Sequence, residues 1–584
     1  MITHNQVKQA QTYSQALDRS LQSAVAKITL GISPAALMLA FFDWYLHVAI
    51  HPTKQLELIE IYQNNLWHLL CQFNSCVLGS SIDEHCVPIP QRDKRFVNPA
   101  WQQFPYNFIY QSFLMSQNWW QAAATNVRGV NKHHEQVVDF TIRQILDMLS
   151  PSNSLFTNPE IQQASIEKQG QNYIVGLENF YEDAYRYFMD LPIVGSENYV
   201  IGKNLATTPG KVIYRNHLIE LIQYSPMTKT VYPEPILITP AWIMKYYILD
   251  LSSKHSLVKY LVKQGHTVFM ISWKNPKKKD RNLGMDNYLN DGIISALKVI
   301  SHIVPNQKTH LLGYCLGGTL STIAAATLAR ENKNILRTMT LLAAQTDFTE
   351  PGELGLFIDE SQISFLENLM LEKGYLDTHQ MAGTFQLLRS NDLIWSRMIH
   401  DYLLGLRNPL NDLMAWNADA TRLPYRMHSE YLRHLFLNNE LAEGKYLVDG
   451  KPIALTDISV PIFVVATERD HVSPWRSVFK INLLTTSDVT FTLTSGGHNV
   501  GIVSLPSKHT KRHYRSSTLK EHDRYIDADR WHEATKPKLG SWWPVLENWL
   551  AKQSGQMIAP PQMGSEKKAY LPLEDAPGTY VLQK

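Results

Sequence analysis

Residues 304–345 read VPNQKTHLLGYCLGGTLSTIAAATLARENKNILRTMTLLAAQ. A short strand closing on Leu311-Leu312 runs into Gly313-Tyr314-Cys315-Leu316-Gly317-Gly318, and an alanine-rich helix starts near Thr319. Strand, sharp turn and helix in that order, with Gly-x-nucleophile-x-Gly at the turn, lift one reactive side chain to the tip of a strained loop. Glycines flank it because the neighbouring strand and helix pack too closely for a β-carbon. The nucleophile here is the thiol of Cys315. At a helix N-terminus the dipole favours a thiolate, and the backbone amide of Leu316 points to where an acyl oxyanion forms. Taken alone, the stretch also reads as a buried structural cysteine beside a tight turn, so its partners downstream decide.

Residues 461–470, PIFVVATERD, form an apolar run with Asp470 in the loop after it. Residues 489–498, VTFTLTSGGH, form an alternating strand leading into Gly496-Gly497-His498. Each polar residue follows a strand. The chain order nucleophile, acid, histidine is that of the α/β-hydrolase fold. In that reading His498 takes the thiol proton and Asp470 orients the imidazole and supports its charge. The second oxyanion amide comes from the loop after an early strand, which places it in the Thr239–Trp242 turn of PILITPAW, with Trp242 as the candidate.

Strand-like and helical runs alternate from about residue 200, implying a mostly parallel sheet. Upstream, residues 52–200 are mainly helical, and the aromatic-rich stretch 101–120 reads as core rather than as a binding box. Residues 28–50 are the most apolar, but Asp43 and His47 interrupt them and Pro34 starts a helix. The uninterrupted run is too short for a bilayer, which needs ~20 residues. A helix lying on an apolar surface or docking on another domain is expected there. Between Gln345 and Asp470 lies more chain than a minimal core needs, an insertion placed to cap the site. The sequence thus divides into a mainly helical N-terminal domain, 1–200, with an apolar helix at about 34–50. An α/β-hydrolase catalytic domain follows at 201–555, with a helical cap insertion at about 346–450, and then a Pro-rich C-terminal tail, 556–584.

A chain of 584 residues exceeds one ordinary core, and its net charge of +2 gives no broad footprint for nucleic acid. Four cysteines make no disulfide framework, and Cys71, Cys76 and Cys86 lack zinc-ligand pairing, so no metal site is expected. No cofactor is expected either. The polar start, residues 1–20, carries no secretory signal, so a reduced cytoplasmic chain is expected. The run Lys277-Lys278-Lys279 with Arg281 reads either as a solvated loop or as a site for a phosphorylated ligand. His471, beside Asp470, reads as a structural neighbour or a substrate contact.

Several segments in this order resemble the polyhydroxyalkanoate synthases, most closely the class I, poly-3-hydroxybutyrate polymerase type. They are SPAALMLAFFDWYLHVAIHPTKQLEL, DKRFVNPAW, NLATTPGKVIYRNHLIELIQY, ITPAWIMKYYILDL, ISWKNP, GYCLGG, NDLIW, WNADATRLP, TERDHVSPW, SGGH and GSWWP. One departure is KKKDRNLGMDNYL after ISWKNP, where the family usually has a Trp and fewer lysines. The resemblance implies catalytic roles for Cys315, Asp470 and His498. It also implies polymerisation of (R)-3-hydroxyacyl-CoA, most simply 3-hydroxybutyryl-CoA, into polyester through a cysteine thioester with release of CoA. The partners it implies are the acyl-CoA, the polyester chain, a second copy in a homodimer, and a granule surface with its associated proteins. Two other readings stay open at this stage: a dienelactone-type or thioester hydrolase, and a granule-binding scaffold without activity.

Overall fold

The computed structural model describes residues 31–78, 93–378, 390–507, 511–566 and 570–584, with Val25, Ala26, Thr29, Gln380 and Gly383. The polar stretch 1–20, the side chain of Cys76, and Cys86 lie outside the described residues. The chain divides into two units, Val25–Val194 with Gln380–Pro409, and Gly195–His379 with Leu410–Lys584.

The first unit is helical: α1 (Pro34–Ile50), α2 (Pro52–Leu78), α3 (Tyr106–Ala124), α4 (Lys132–Met148), α5 (Pro159–Glu167) and α6 (Gln171–Phe188). Helix α1 begins where the sequence places it, with Pro34 in the first turn and the Ser33 hydroxyl accepting from the Ala36 amide at 3.3 Å. Asp43 and His47, which interrupt the apolar run, have partners. The Asp43 carboxylate accepts from the Asn131 amide at 3.0 Å and pairs with His134 at 2.7 Å and His47 at 3.1 Å. Ala40, Ala124, Val138, Ile142 and Leu146 form one core cluster, and Phe96, Trp101, Tyr110 and Leu114 a second. The aromatics of 101–120 therefore supply core, as their spacing implies. Outside these clusters, Met38, Leu39, Phe42, Tyr45 and Ile50 of α1 and Leu56, Ile59, Tyr62 and Trp67 of α2 are exposed. No helix among the described residues is long and apolar enough to cross a membrane. Residues 380–409, placed by the sequence within the cap insertion, group with this helical unit.

The second unit is built on one eleven-stranded sheet. Its elements are β1 (Gly210–Arg215), β2 (Ile219–Tyr224), β3 (Ile236–Thr239), α7 (Leu257–Lys263), β4 (Val268–Trp273), α8 (Ser295–Ile303), β5 (Thr309–Tyr314), α9 (Leu316–Arg330) and β6 (Leu336–Leu342). After the insertion come β7 (Ile462–Thr467), β8 (Val489–Thr494), β9 (His513–Leu519), β10 (Lys538–Leu539) and β11 (Glu574–Asp575). Strand order is β10-β9-β8-β7-β6-β5-β3-β4-β2-β1-β11. The six central strands, β8 to β4, pair in parallel, and both flanks are antiparallel. Parallel strands are covered on both faces, and β3, β4, β5, β7 and β8 are buried along their whole length. This is an α/β-hydrolase fold with a large mixed sheet.

Because β4 lies on one side of β3 and β5 on the other, the connections diverge at the β3/β5 boundary. In open α/β sheets that is where a crevice forms beyond the carboxyl ends of the strands. Within the insertion, α10 (Glu360–Lys373) is N-capped by Asp359, whose carboxylate accepts from the Gln362 amide at 2.9 Å, and stops at Gly374 in the left-handed conformation. A short helix, α11 (Tyr425–Glu430), runs on into a wider turn over Tyr431–Leu437. Arg433 ties that turn to α10 through Glu360 and Glu367, each at 2.8 Å.

Residues 556–584, read from the sequence as a tail, contribute β11, which pairs with β1. Their polar contacts converge on Glu220 of β2, whose buried carboxylate accepts from the amides of Thr579 and Tyr580 and from the Thr579 hydroxyl. Arg215 supplies the counter-charge at 2.6 Å.

Candidate active site

The elbow is a product of close packing. Cys315 follows β5 directly and caps α9 with φ 51° and ψ −124°, a conformation costly for any residue with a side chain. Bonds on both sides hold it there: the Cys315 amide donates to Leu342 O at 2.8 Å, and its carbonyl accepts from Gly318 at 2.8 Å and Thr319 at 3.2 Å. A β-carbon on Gly317 would collide with the carbonyl oxygens of Thr239 and Pro240, so only glycine lets α9 sit against the turn after β3. The Leu316 and Trp242 amides, the two that the sequence singles out, thereby lie on segments in direct contact. Neither N–H donates to an acceptor among the described residues.

Asp470 and His498 arrive from the loops after β7 and β8. One Asp470 oxygen accepts from the amides of Val472 at 2.9 Å and Ser473 at 2.8 Å. The other accepts from the Thr467 hydroxyl at 3.1 Å and from His498 Nδ1 at 2.8 Å. With Nδ1–H committed to Asp470, Nε2 is the nitrogen left for the thiol, and Cys315 is among the groups whose charge acts on the His498 ring. The structure thus pairs His498 with Asp470 and places Cys315 near enough for its charge to act on the imidazole.

Charges in this chain are coupled. Burial penalises the Asp470 carboxylate, but the neighbouring imidazolium and the bonds it accepts hold its pKa below the usual carboxylate value. Burial likewise works against a charged His498. The Asp470 carboxylate, the negative charge at Cys315 and hydrogen bonds to both outweigh it, so the histidine pKa sits well above its ordinary value.

Several groups that sequence reasoning did not single out complete the site. Tyr314 donates its hydroxyl to Asn499 Oδ1 at 2.5 Å, and its ring lies 5.8 Å from that of His498. Both sit one residue from a triad position, a signal available in the sequence. Tyr431, from the insertion, is buried, and burial followed by the charge at Cys315 drives its phenol pKa well upward. It packs on Trp242, which also meets Trp273 and Tyr288, so the turn after β3 lies among aromatic rings. No motif marked Tyr431, because an aromatic in a helical stretch reads as core. The His471 backbone lies against the turn at Gly352, a packing neighbour.

The fold and this elbow define an α/β-hydrolase-fold protein with cysteine in the nucleophile position. The α/β hydrolase fold family matches residues 234–504, the poly-beta-hydroxybutyrate polymerase N-terminus family residues 92–261, and a second N-terminal family of the same polymerases residues 12–54. A poly(3-hydroxyalkanoate) polymerase of Methylorubrum extorquens is 38% identical over 510 residues, covering 87% of this chain and 83% of the relative. The poly(3-hydroxyalkanoate) polymerase subunit PhaC of Rhizobium etli is 35% identical over 500 residues, covering 85% and 78%. That of Cupriavidus necator is 35% identical over 503 residues, covering 85% and 84%. The chain belongs to the poly(3-hydroxyalkanoate) polymerase family, synthases of the acyltransferase type.

Proposed function

We propose that this enzyme polymerises (R)-3-hydroxyacyl-CoA, with 3-hydroxybutyryl-CoA as the substrate, through a covalent thioester on Cys315. The observation that carries the reading is the His498–Asp470 hydrogen bond beside Cys315 on the strained elbow of a chain in this family. His498 accepts the thiol proton and Cys315 Sγ attacks the thioester carbonyl. The Leu316 and Trp242 amides receive the oxyanion, and collapse expels CoA, which leaves with the proton held by His498. Thiol-for-thiol exchange is nearly energy-neutral, so loading is reversible. The hydroxyl of an incoming hydroxyacyl-CoA then loses its proton to His498 and attacks acyl-Cys315. This frees the thiol and leaves the lengthened chain as a CoA thioester, and a second attack by Cys315 releases that CoA. Oxoester formation from a thioester drives elongation.

Water competes with the chain-end hydroxyl, and the aromatic wall around Trp242 with Tyr431 above it suits its exclusion. The class I type, acting as a homodimer in the cytoplasm at the surface of polyester granules, fits this reading. The exposed apolar residues of α1 and α2 offer surface for a granule or a second copy.

The test is to incubate the purified protein with 3-hydroxybutyryl-CoA, follow CoA release and extract the product, with Cys315→Ala in parallel. Cys315-dependent CoA release with insoluble polyester is the expected result. Soluble 3-hydroxybutyrate alone would assign a hydrolase. A Cys315→Ala protein that keeps full cellular function would assign a scaffold.

A further inference from the structure

The lysine run after β4, which the mechanism leaves unused, opens onto a cleft of about 510 Å³, within the size range of ligand sites of ~300–1,000 Å³. Lys277, Lys278, Lys373, Arg422 and Lys584 line it beside the ring of Tyr375, with Glu372 the one carboxylate side chain. Arg281 of the same run serves the fold instead, donating to Leu371 O at 3.1 Å, and Asp280 is engaged by Lys274 at 3.2 Å. Lys277 and Lys278 have no carboxylate partner among the described residues, whereas Lys373 holds Asp377 at 2.8 Å and the Lys584 charge acts on Asp419. The Arg422 guanidinium lies 5.1 Å from the centre of the Tyr375 ring and its Nη1 donates to Lys584 O at 3.3 Å, while its Nε is buried without a partner among the described residues. Cations gathered this closely and only partly neutralised repel one another, and a concave wall with an excess of one sign concentrates the opposite charge.

The cleft is joined to the oxyanion turn by two consecutive residues. The Thr421 hydroxyl donates to Trp242 O at 2.5 Å, and the Arg422 amide donates to Asn275 Oδ1 at 2.9 Å in the loop that carries Lys277 and Lys278. Resting on the proposed acyl-CoA chemistry, we infer that this cleft binds a phosphate-rich anion, namely the 3′-phosphate and diphosphate of the CoA moiety, while the acyl end reaches Cys315. Arg422, oriented by Tyr375 and by its bond to Lys584 O, presents Nη2 to one phosphate, and the lysines act as point charges on the others.

The test compares 3-hydroxybutyryl-CoA with the 3-hydroxybutyryl thioester of pantetheine, which lacks every phosphate, on wild type, the double variant Lys277→Glu/Lys278→Glu, and Arg422→Gln. Expected is a rise in KM of about tenfold or more for the CoA thioester, little change in kcat, and no change in kcat/KM for the pantetheine thioester. An unchanged KM for the CoA thioester, or an equal loss on both substrates, overturns the inference. Wild type that releases thiol from neither substrate would sink the proposed function instead. The cleft is then judged by calorimetric titration with adenosine 3′,5′-bisphosphate and with pyrophosphate. Nucleotide binding that weakens with salt and is lost in the double variant supports the inference. Equal binding of pyrophosphate would assign the cleft to free phosphate anions and overturn the CoA source, as would no binding of either.

Discussion

At the residue scale, the imidazole of His498 is bonded to the Asp470 carboxylate, and its pKa is raised. A histidine whose folded pKa is raised contributes stability that is complete below its unfolded value near ~6.5 and is lost as pH climbs through the folded value. Asp470, whose pKa is lowered, contributes above its unfolded value near ~3.9 and loses that contribution as pH falls through the folded one. The rate of alkylation of Cys315 by iodoacetamide is expected to change with pH above the ordinary histidine range, where His498 loses its proton. In Asp470→Asn the burial that disfavours imidazolium is no longer opposed by the carboxylate. Its turnover is expected to drop by about 10⁴-fold, and the alkylation profile to move, which a rate-versus-pH series on both proteins measures. The expected triad positions could be named because each follows a strand and together they keep one chain order. Tyr431 could not, since its place near the thiol arises from packing of a segment more than a hundred residues downstream of the elbow.

At the scale of elements, the elbow and the turn after β3 are a single machine part. Gly317→Ala forces a methyl into the carbonyls of Thr239 and Pro240, so either α9 or the oxyanion turn must shift. Loss of one oxyanion donor is worth about 10²–10³ in rate, and the expected result is a kcat reduced by about 10²-fold in a protein that still folds. Circular dichroism beside steady-state kinetics checks this, and an alanine variant with wild-type kcat would show that the contact is not what places the amides. Strand and helix alternation was readable here because the parallel strands are apolar throughout and separated by turn signals. The insertion was harder to read. Its helix α10 has ordinary cap signals, but the segment 380–409 carries the same helical pattern whichever unit it packs with. Amphipathic periodicity reports that a face is buried, not against what.

At the scale of the whole molecule, the end of the chain completes the sheet. A Pro-rich composition reads as a tail, yet the two-residue strand β11 and the N–H groups of Thr579 and Tyr580 serve β1 and the buried Glu220. A two-residue strand has no periodicity to recognise, and a carboxylate's need for donors is invisible until it is seen to be buried. Deleting residues 571–584 strips donors from Glu220 and is expected to cost about 2–3 kcal/mol, measured as a lower midpoint in urea. If Glu220→Gln restores much of that loss in the shortened protein, the unsatisfied carboxylate is its source. The pairing Lys211↔Asp575 also has a consequence in time. Ribosomes add about 5–20 residues per second, so the outer edge of β1 waits on the order of 20–70 seconds for its partner strand to be synthesised. Throughout that interval a nascent polypeptide displays an unpaired β-edge to its neighbours on the same polysome. Yield of soluble protein should therefore depend on translation speed and on chaperone supply more than the stability of the finished fold suggests.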